Sequence, residues 1–121
     1  MEYDKKIFSE NLKKQAAIAG ENQPDTGEFF CLRVEGNSMY PLLYSGETIV
    51  IKKQETADNG DIVVALVDNE ETTVKRLKKV SDGIILEAEN PEYNSLYFNE
   101  KQIQNEKVKI IGKAVESRKK L

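Results

Sequence analysis

Two polar residues in this sequence occupy settings that invite a chemical reading. Ser38 lies in Gly36-Asn37-Ser38-Met39-Tyr40-Pro41, directly after a run of β-type residues. A serine between a glycine and a helical turn presents its hydroxyl outward, with neighbouring backbone N–H groups free to hold an oxyanion. Lys75 lies in Thr72-Thr73-Val74-Lys75-Arg76-Leu77, where strand alternation puts it on one face with Thr73 and Leu77. The chain has 0 histidines, which excludes Ser-His and Cys-His catalytic pairs and every His-ligated metal site within it. A hydrolytic serine here needs a different base.

A lysine on the inward face of a strand can become one. Free lysine titrates near ~10.4, whereas a general base at neutral pH works best near ~7. The gap equals a preference of about 4.6 kcal/mol for the neutral amine, which burial alone is large enough to supply. A neutral Lys75 amine would take the proton of Ser38, and the Thr73 hydroxyl would orient that amine. Taken singly, a serine after glycine is more often a turn residue, and a strand lysine is more often solvated and snorkelling. The physics permits the Ser-Lys dyad without establishing it.

Composition bounds the rest. With 121 residues, 39% hydrophobic and 32% charged, the chain fits one globular domain with a core of its own. The single cysteine, Cys31, excludes an internal disulfide and reads as buried filler in Phe29-Phe30-Cys31-Leu32. No cofactor or metal is expected. No apolar run approaches a membrane span, no secretory signal opens the chain, and cysteines are few, so a cytoplasmic location is expected. A formal net charge of −3 gives no push toward nucleic acid, and the basic run Lys75-Arg76-Leu77-Lys78-Lys79 reads as a solvated edge.

The elements that must position Ser38 and Lys75 follow from the hydrophobic pattern. Tyr3 to Ile18 has apolar residues at helical spacing and a stop at Gly20, so a helix is predicted there. Gly20 to Gly27 is polar and rich in breakers, a linker. From Glu28 the pattern turns to short strands: Phe29–Val34, Thr48–Lys52, Asp61–Val67, Thr72–Leu77, Gly83–Ala88 and Val108–Val115. Asp68-Asn69 is a predicted hairpin turn. The expected fold class is mainly β, an antiparallel sheet closed into a barrel or folded on itself, with one N-terminal helix. Residues 1–27 are expected to form the helix and linker, and residues 28–121 the functional domain.

The motifs also carry a resemblance. Arg33-Val34-Glu35-Gly36-Asn37-Ser38-Met39-Tyr40-Pro41-Leu42-Leu43-Tyr44-Ser45-Gly46-Glu47 resembles the nucleophile segment of the LexA/UmuD/phage-repressor family, with its Gly-x-Ser-Met-x-Pro core. Asn59-Gly60-Asp61-Ile62-Val63-Val64-Ala65 resembles the family's next strand entry, and Thr73-Val74-Lys75-Arg76-Leu77 its lysine segment. The resemblance runs from about Phe29 to the C-terminus. It implies a partly open β-barrel shared with signal peptidases, Ser38 as nucleophile, Lys75 as general base, and an oxyanion hole from the N–H groups of Asn37 and Ser38.

It further implies self-cleavage at a small-residue–Gly bond upstream of the serine on meeting an activated RecA filament, and a homodimer formed through this domain. DNA binding in the family belongs to a helix-turn-helix domain, of which Ile7 to Lys14 resembles only the opening helix. Ala19-Gly20 has the chemistry of the scissile bond, only 19 positions before Ser38. That interval is shorter than the family's and lacks a hairpin to hold the bond in the site. A catalytically idle oligomerisation module is the alternative expectation.

Overall fold

The structure, a computed structural model, describes residues 2–4 and 27–118. Its strands are β1 (Glu2–Asp4), β2 (Phe29–Arg33), β3 (Thr48–Lys53), β4 (Ile62–Val67), β5 (Glu71–Val80), β6 (Gly83–Glu87), β7 (Leu96–Asn99) and β8 (Val108–Arg118), with one short helix, α1 (Glu100–Gln104), before β8. All pair antiparallel in one sheet of order β1-β2-β3-β8-β4-β5-β6-β7. The chain is mainly β and the sheet does not close, since β1 and β7 remain its edges. No helix among the described residues is long and apolar enough to cross a membrane.

The N-terminal reading needs a correction. Tyr3 and Asp4, predicted to open a helix, lie in β1 and pair with Leu32 and Cys31 of β2. A free sheet edge offers an unpaired row of backbone groups, which overrides a weak helical periodicity. The rest of that predicted helix, and Ala19-Gly20, lie outside the described residues.

The six predicted strands form within a few residues of their expected bounds. The Asp68-Asn69 turn does too, with φ of 54° and 57° at its two residues and the Glu70 N–H donating to the Val67 carbonyl at 3.1 Å. Two positive φ values in sequence mark the primed turn whose twist matches a hairpin. The turn sets the register that places Lys75 opposite Val63.

The sheet coils because β8 carries two extra residues. Ile111 interrupts its register against β4, and Val115 interrupts it against β3. Each bulge bends the strand and increases local twist, so β8 serves β4 with its first half and β3 with its second. Coiling gives the sheet two buried sides. Phe30, Leu32, Met39, Leu43, Ile49, Ile51, Val64 and Val74 pack into one cluster. Val63, Ala65, Leu77, Leu86, Phe98 and Val108 pack into another. β4 contributes to both, which explains why Ile62 to Val67 is continuously apolar rather than alternating.

Cys31 is buried beside Phe29 and Val50. Burial pushes its thiol above the ordinary range, and nearby Glu116 pushes the same way, while Arg118 pulls it down. This is the inert filler that the sequence predicted.

Candidate active site

Ser38 sits on the loop between β2 and β3, whose base is closed by two backbone hydrogen bonds. The Val34 N–H donates to the Glu47 carbonyl and the Gly46 N–H donates to the Val34 carbonyl, both at 2.8 Å. Gly36, with φ of +81°, makes the turn into the loop in a region that side chains disfavour. Within the loop, the Leu43 N–H donates to the Met39 carbonyl at 2.8 Å, forming a single helical turn. That turn drives Met39 and Leu43 into the first core cluster, where they are 2% and 5% exposed. Met39 therefore anchors the chain immediately after Ser38, while Ser38 itself stays partly accessible.

Lys75 is in mid-strand on β5, on the same face as Thr73 and Leu77, as its alternation predicts. Its side chain is only 9% exposed. Nζ stands 3.1 Å from Ser38 Oγ, 2.6 Å from Thr73 Oγ1 and 3.2 Å from the Val74 carbonyl oxygen. Ser38 and Lys75 are 37 positions apart in sequence and meet because the sheet brings the loop after β2 over β5. No carboxylate is in salt-bridge contact with the ammonium position among the described residues. Loss of solvent holds the Lys75 pKa below the ordinary lysine range, and Glu71, at the start of the same strand, opposes that shift in part.

The pair opens into a cleft of about 270 Å³. Glu71, Thr73 and Lys75 line one side, with Val67 from the end of β4; Tyr93, Asn94 and Leu96 line the approach to β7. A larger cleft of about 480 Å³ beside α1 has apolar walls that include Ile84, Ile103 and Val108, and contains neither Ser38 nor Lys75. Chemistry rather than size singles out the smaller one.

The N–H groups of Asn37 and Ser38 donate no hydrogen bond to a protein acceptor among the described residues. They are available to a ligand oxygen, the condition an oxyanion hole requires. Two cations of the basic run after Lys75 are held in local pairs: Arg76 binds Glu89 and the Gly60 carbonyl, and Lys78 binds Glu87 at 2.8 Å.

Sequence reasoning missed two contributors. Glu71 reads simply as the polar end of a hairpin, and only the fold puts it in the cleft. Asn90 appears in the sequence as turn punctuation before Pro91, yet its N–H donates to the Ser38 carbonyl and its Nδ2 to the Asn37 carbonyl, each at 3.0 Å.

The arrangement has a nucleophile-type hydroxyl, a desolvated amine within reach of it, and unpaired backbone donors alongside. A family model described as Peptidase S24-like matches residues 4–115, so the match spans strands β2 to β7, most of β8, the Ser38 loop and the Lys75 strand. The chain belongs to the Peptidase S24-like family, that of the self-cleaving domains of LexA, UmuD and the phage repressors.

Proposed function

We propose that this chain is the self-cleaving peptidase and dimerisation domain of a LexA-like SOS-response or phage-type repressor, working through a Ser38-Lys75 dyad. The observation that carries the reading is the 3.1 Å separation of Ser38 Oγ from the Nζ of a buried Lys75 that has no salt bridge among the described residues. A neutral amine has two N–H bonds and one lone pair. The Val74 carbonyl can only accept, so it takes one N–H; Thr73 Oγ1 takes the other; the lone pair is left for the Ser38 hydroxyl. Lys75 in this form is oriented as a base toward Ser38.

The reaction then proceeds in balanced steps. Ser38 Oγ attacks the scissile carbonyl carbon as its proton passes to Lys75 Nζ. The negative charge gathers on the carbonyl oxygen, where the N–H groups of Asn37 and Ser38 receive it. The Lys75 ammonium returns the proton to the leaving amine as the C–N bond breaks. The same amine then takes a proton from a water that attacks the acyl carbon, and the ammonium returns that proton to Ser38 Oγ as the acyl C–Oγ bond breaks.

Ala19-Gly20 is the candidate scissile bond, the small Ala19 suiting a tight pocket and Gly20 allowing close backbone approach. An activated RecA filament is the family's trigger and is the proposed partner in trans. DNA contact belongs to a helix-turn-helix domain rather than to this sheet. Incubation of the chain at neutral and alkaline pH, followed by intact-mass measurement, tests the proposal. Slow or no cleavage at neutral pH and at most partial cleavage above roughly pH 9, with the new fragment beginning at Gly20, is expected. An intact chain at every pH favours the idle oligomerisation module. The polar, breaker-rich run Asn22 to Gly27 motivates that second reading, because it offers no strand to hold the bond across the cleft.

Glu71 supplies a sharper expectation. Its negative charge favours the protonated form of Lys75, so Glu71→Gln should raise the neutral fraction of the amine at pH 7. An exposed charge pair is worth ~0.2–1 kcal/mol, so cleavage at neutral pH should gain up to about five-fold, and the pH–rate profile should move to lower pH. A slower Glu71→Gln chain would contradict the sign.

Dimerisation draws support from β8. Over Ala114 to Arg118 it pairs with β3 alone, so its opposite backbone edge has no strand partner among the described residues. Val115 is also 47% exposed there. Two copies related by a two-fold axis would pair these edges antiparallel. Sedimentation at micromolar concentration should give a dimer; only monomer would exclude this mode.

A further inference from the structure

The contacts of Asn90 define a role for a residue outside the dyad. The carbonyls that it holds, those of Asn37 and Ser38, belong to the two successive peptide planes flanking Ser38 Cα. Each plane is rigid, and only φ and ψ of Ser38 relate one to the other. A single residue gripping both carbonyls therefore fixes both soft dihedrals of Ser38. In a trans peptide the N–H points away from its C=O, so anchoring the Asn37 carbonyl on Asn90 directs the Ser38 N–H to the opposite side.

Asn90 is itself held. Its Oδ1 accepts from the Glu92 N–H at 3.0 Å, and its carbonyl accepts from the Tyr93 N–H at 3.0 Å. The first of these assigns oxygen to one side of the amide, leaving nitrogen to face Asn37. The turn so formed leads directly to Tyr93 and Asn94 on the cleft wall. Asparagine is required for the pattern: aspartate keeps the acceptor for Glu92 but loses the donor, and alanine loses both.

We propose that Asn90 is a positioning residue for the cleavage reaction, clamping the Asn37–Ser38–Met39 backbone so that the oxyanion-binding N–H of Ser38 is aimed before substrate arrives. The proposal rests on the reading of Ser38 as nucleophile. Pre-set donors are effective because they need no reorganisation as charge develops, and a misplacement of about 1 Å costs on the order of 10²-fold.

The test compares the parent chain with Asn90→Ala and Asn90→Asp. Both variants should self-cleave about 10- to 100-fold more slowly. The midpoint of the pH–rate profile should stay at the parent value, because the contacts of Lys75 with Thr73 and Val74 are untouched. Backbone ¹⁵N relaxation should show the Ser38 amide gaining motion, with the melting temperature close to the parent's. A merely structural role would instead move the pH midpoint and the melting temperature together, and that result overturns the proposal. So does an Asn90→Ala chain whose Ser38 amide is as ordered as the parent's. If the parent chain itself does not cleave, the peptidase reading fails, while the amide relaxation still decides whether Asn90 is the clamp.

Discussion

Ser38→Ala and Lys75→Ala should each abolish self-cleavage, with a loss of at least about 10³-fold at every pH, and the double variant should be no slower than either alone. In the proposed mechanism the two side chains act as one unit. Without Oγ there is no nucleophile, and without Nζ the hydroxyl keeps its proton. The parent rate should rise with pH while Lys75 loses its proton, then level off once the amine is neutral. The sign follows from the contacts: only the neutral amine has a lone pair to turn toward Ser38. Residual cleavage by Lys75→Ala that still rises with pH would mean that hydroxide, not Lys75, activates Ser38. Intact-mass measurement over a pH series distinguishes the two.

The same burial has a second consequence, for stability. At neutral pH the fold must accommodate a side chain whose charged form it disfavours. Lys75→Met keeps the length and removes the ionisable group, so it should stabilise the folded chain by about 0.5–2 kcal/mol while eliminating activity. Because burial holds the folded-state pKa below its unfolded value, the unfolded chain binds more protons in the interval between the two. The cost of Lys75 is fully present below the folded pKa and disappears as pH rises through the ordinary lysine value near ~10.4. The stability advantage of Lys75→Met should therefore shrink as pH rises. Subtracting the two denaturation curves at each pH removes the contributions of other titrating groups. A parent chain more stable than Lys75→Met at pH 7 would show that Lys75 is favourably accommodated as an ammonium.

In the sequence, strand alternation permitted a Ser38-Lys75 pairing without establishing it, and the resemblance of the two segments to the family's motifs singled it out. A lysine whose strand alternation points it inward conflicts with local rules, and such conflicts gather at functional sites. The six strands β2 to β6 and β8 were legible on their own, being short apolar runs separated by turn residues. What escaped was non-local. β7 is only Leu96–Asn99, too short for a periodic signal, and three of its four residues are exposed. β1 forms by pairing with a strand more than 20 positions away, and such pairing leaves no trace in the helical spacing of Tyr3 and Ile7. The two bulges of β8 were hidden as well, since the even alternation of Val108, Ile110, Gly112 and Ala114 continues straight past Ile111. Asn90 shows the same limit at the site: Asn-Pro announces a turn, but the carbonyls it reaches lie over 50 positions away.

The proposed mechanism depends on Lys75 being able to act as a neutral base beside Ser38. The most direct measurement is an NMR titration of Lys75, with ¹³Cε of selectively labelled lysine followed from pH 5 to 12 in the Ser38→Ala chain, which cannot cut itself. One lysine, assigned to Lys75 by its absence from a Ser38→Ala/Lys75→Met chain, should titrate clearly below all the others. If Lys75 instead titrates with the surface lysines near ~10.4 or above, it is an ammonium throughout the neutral range, and the general-base role is contradicted.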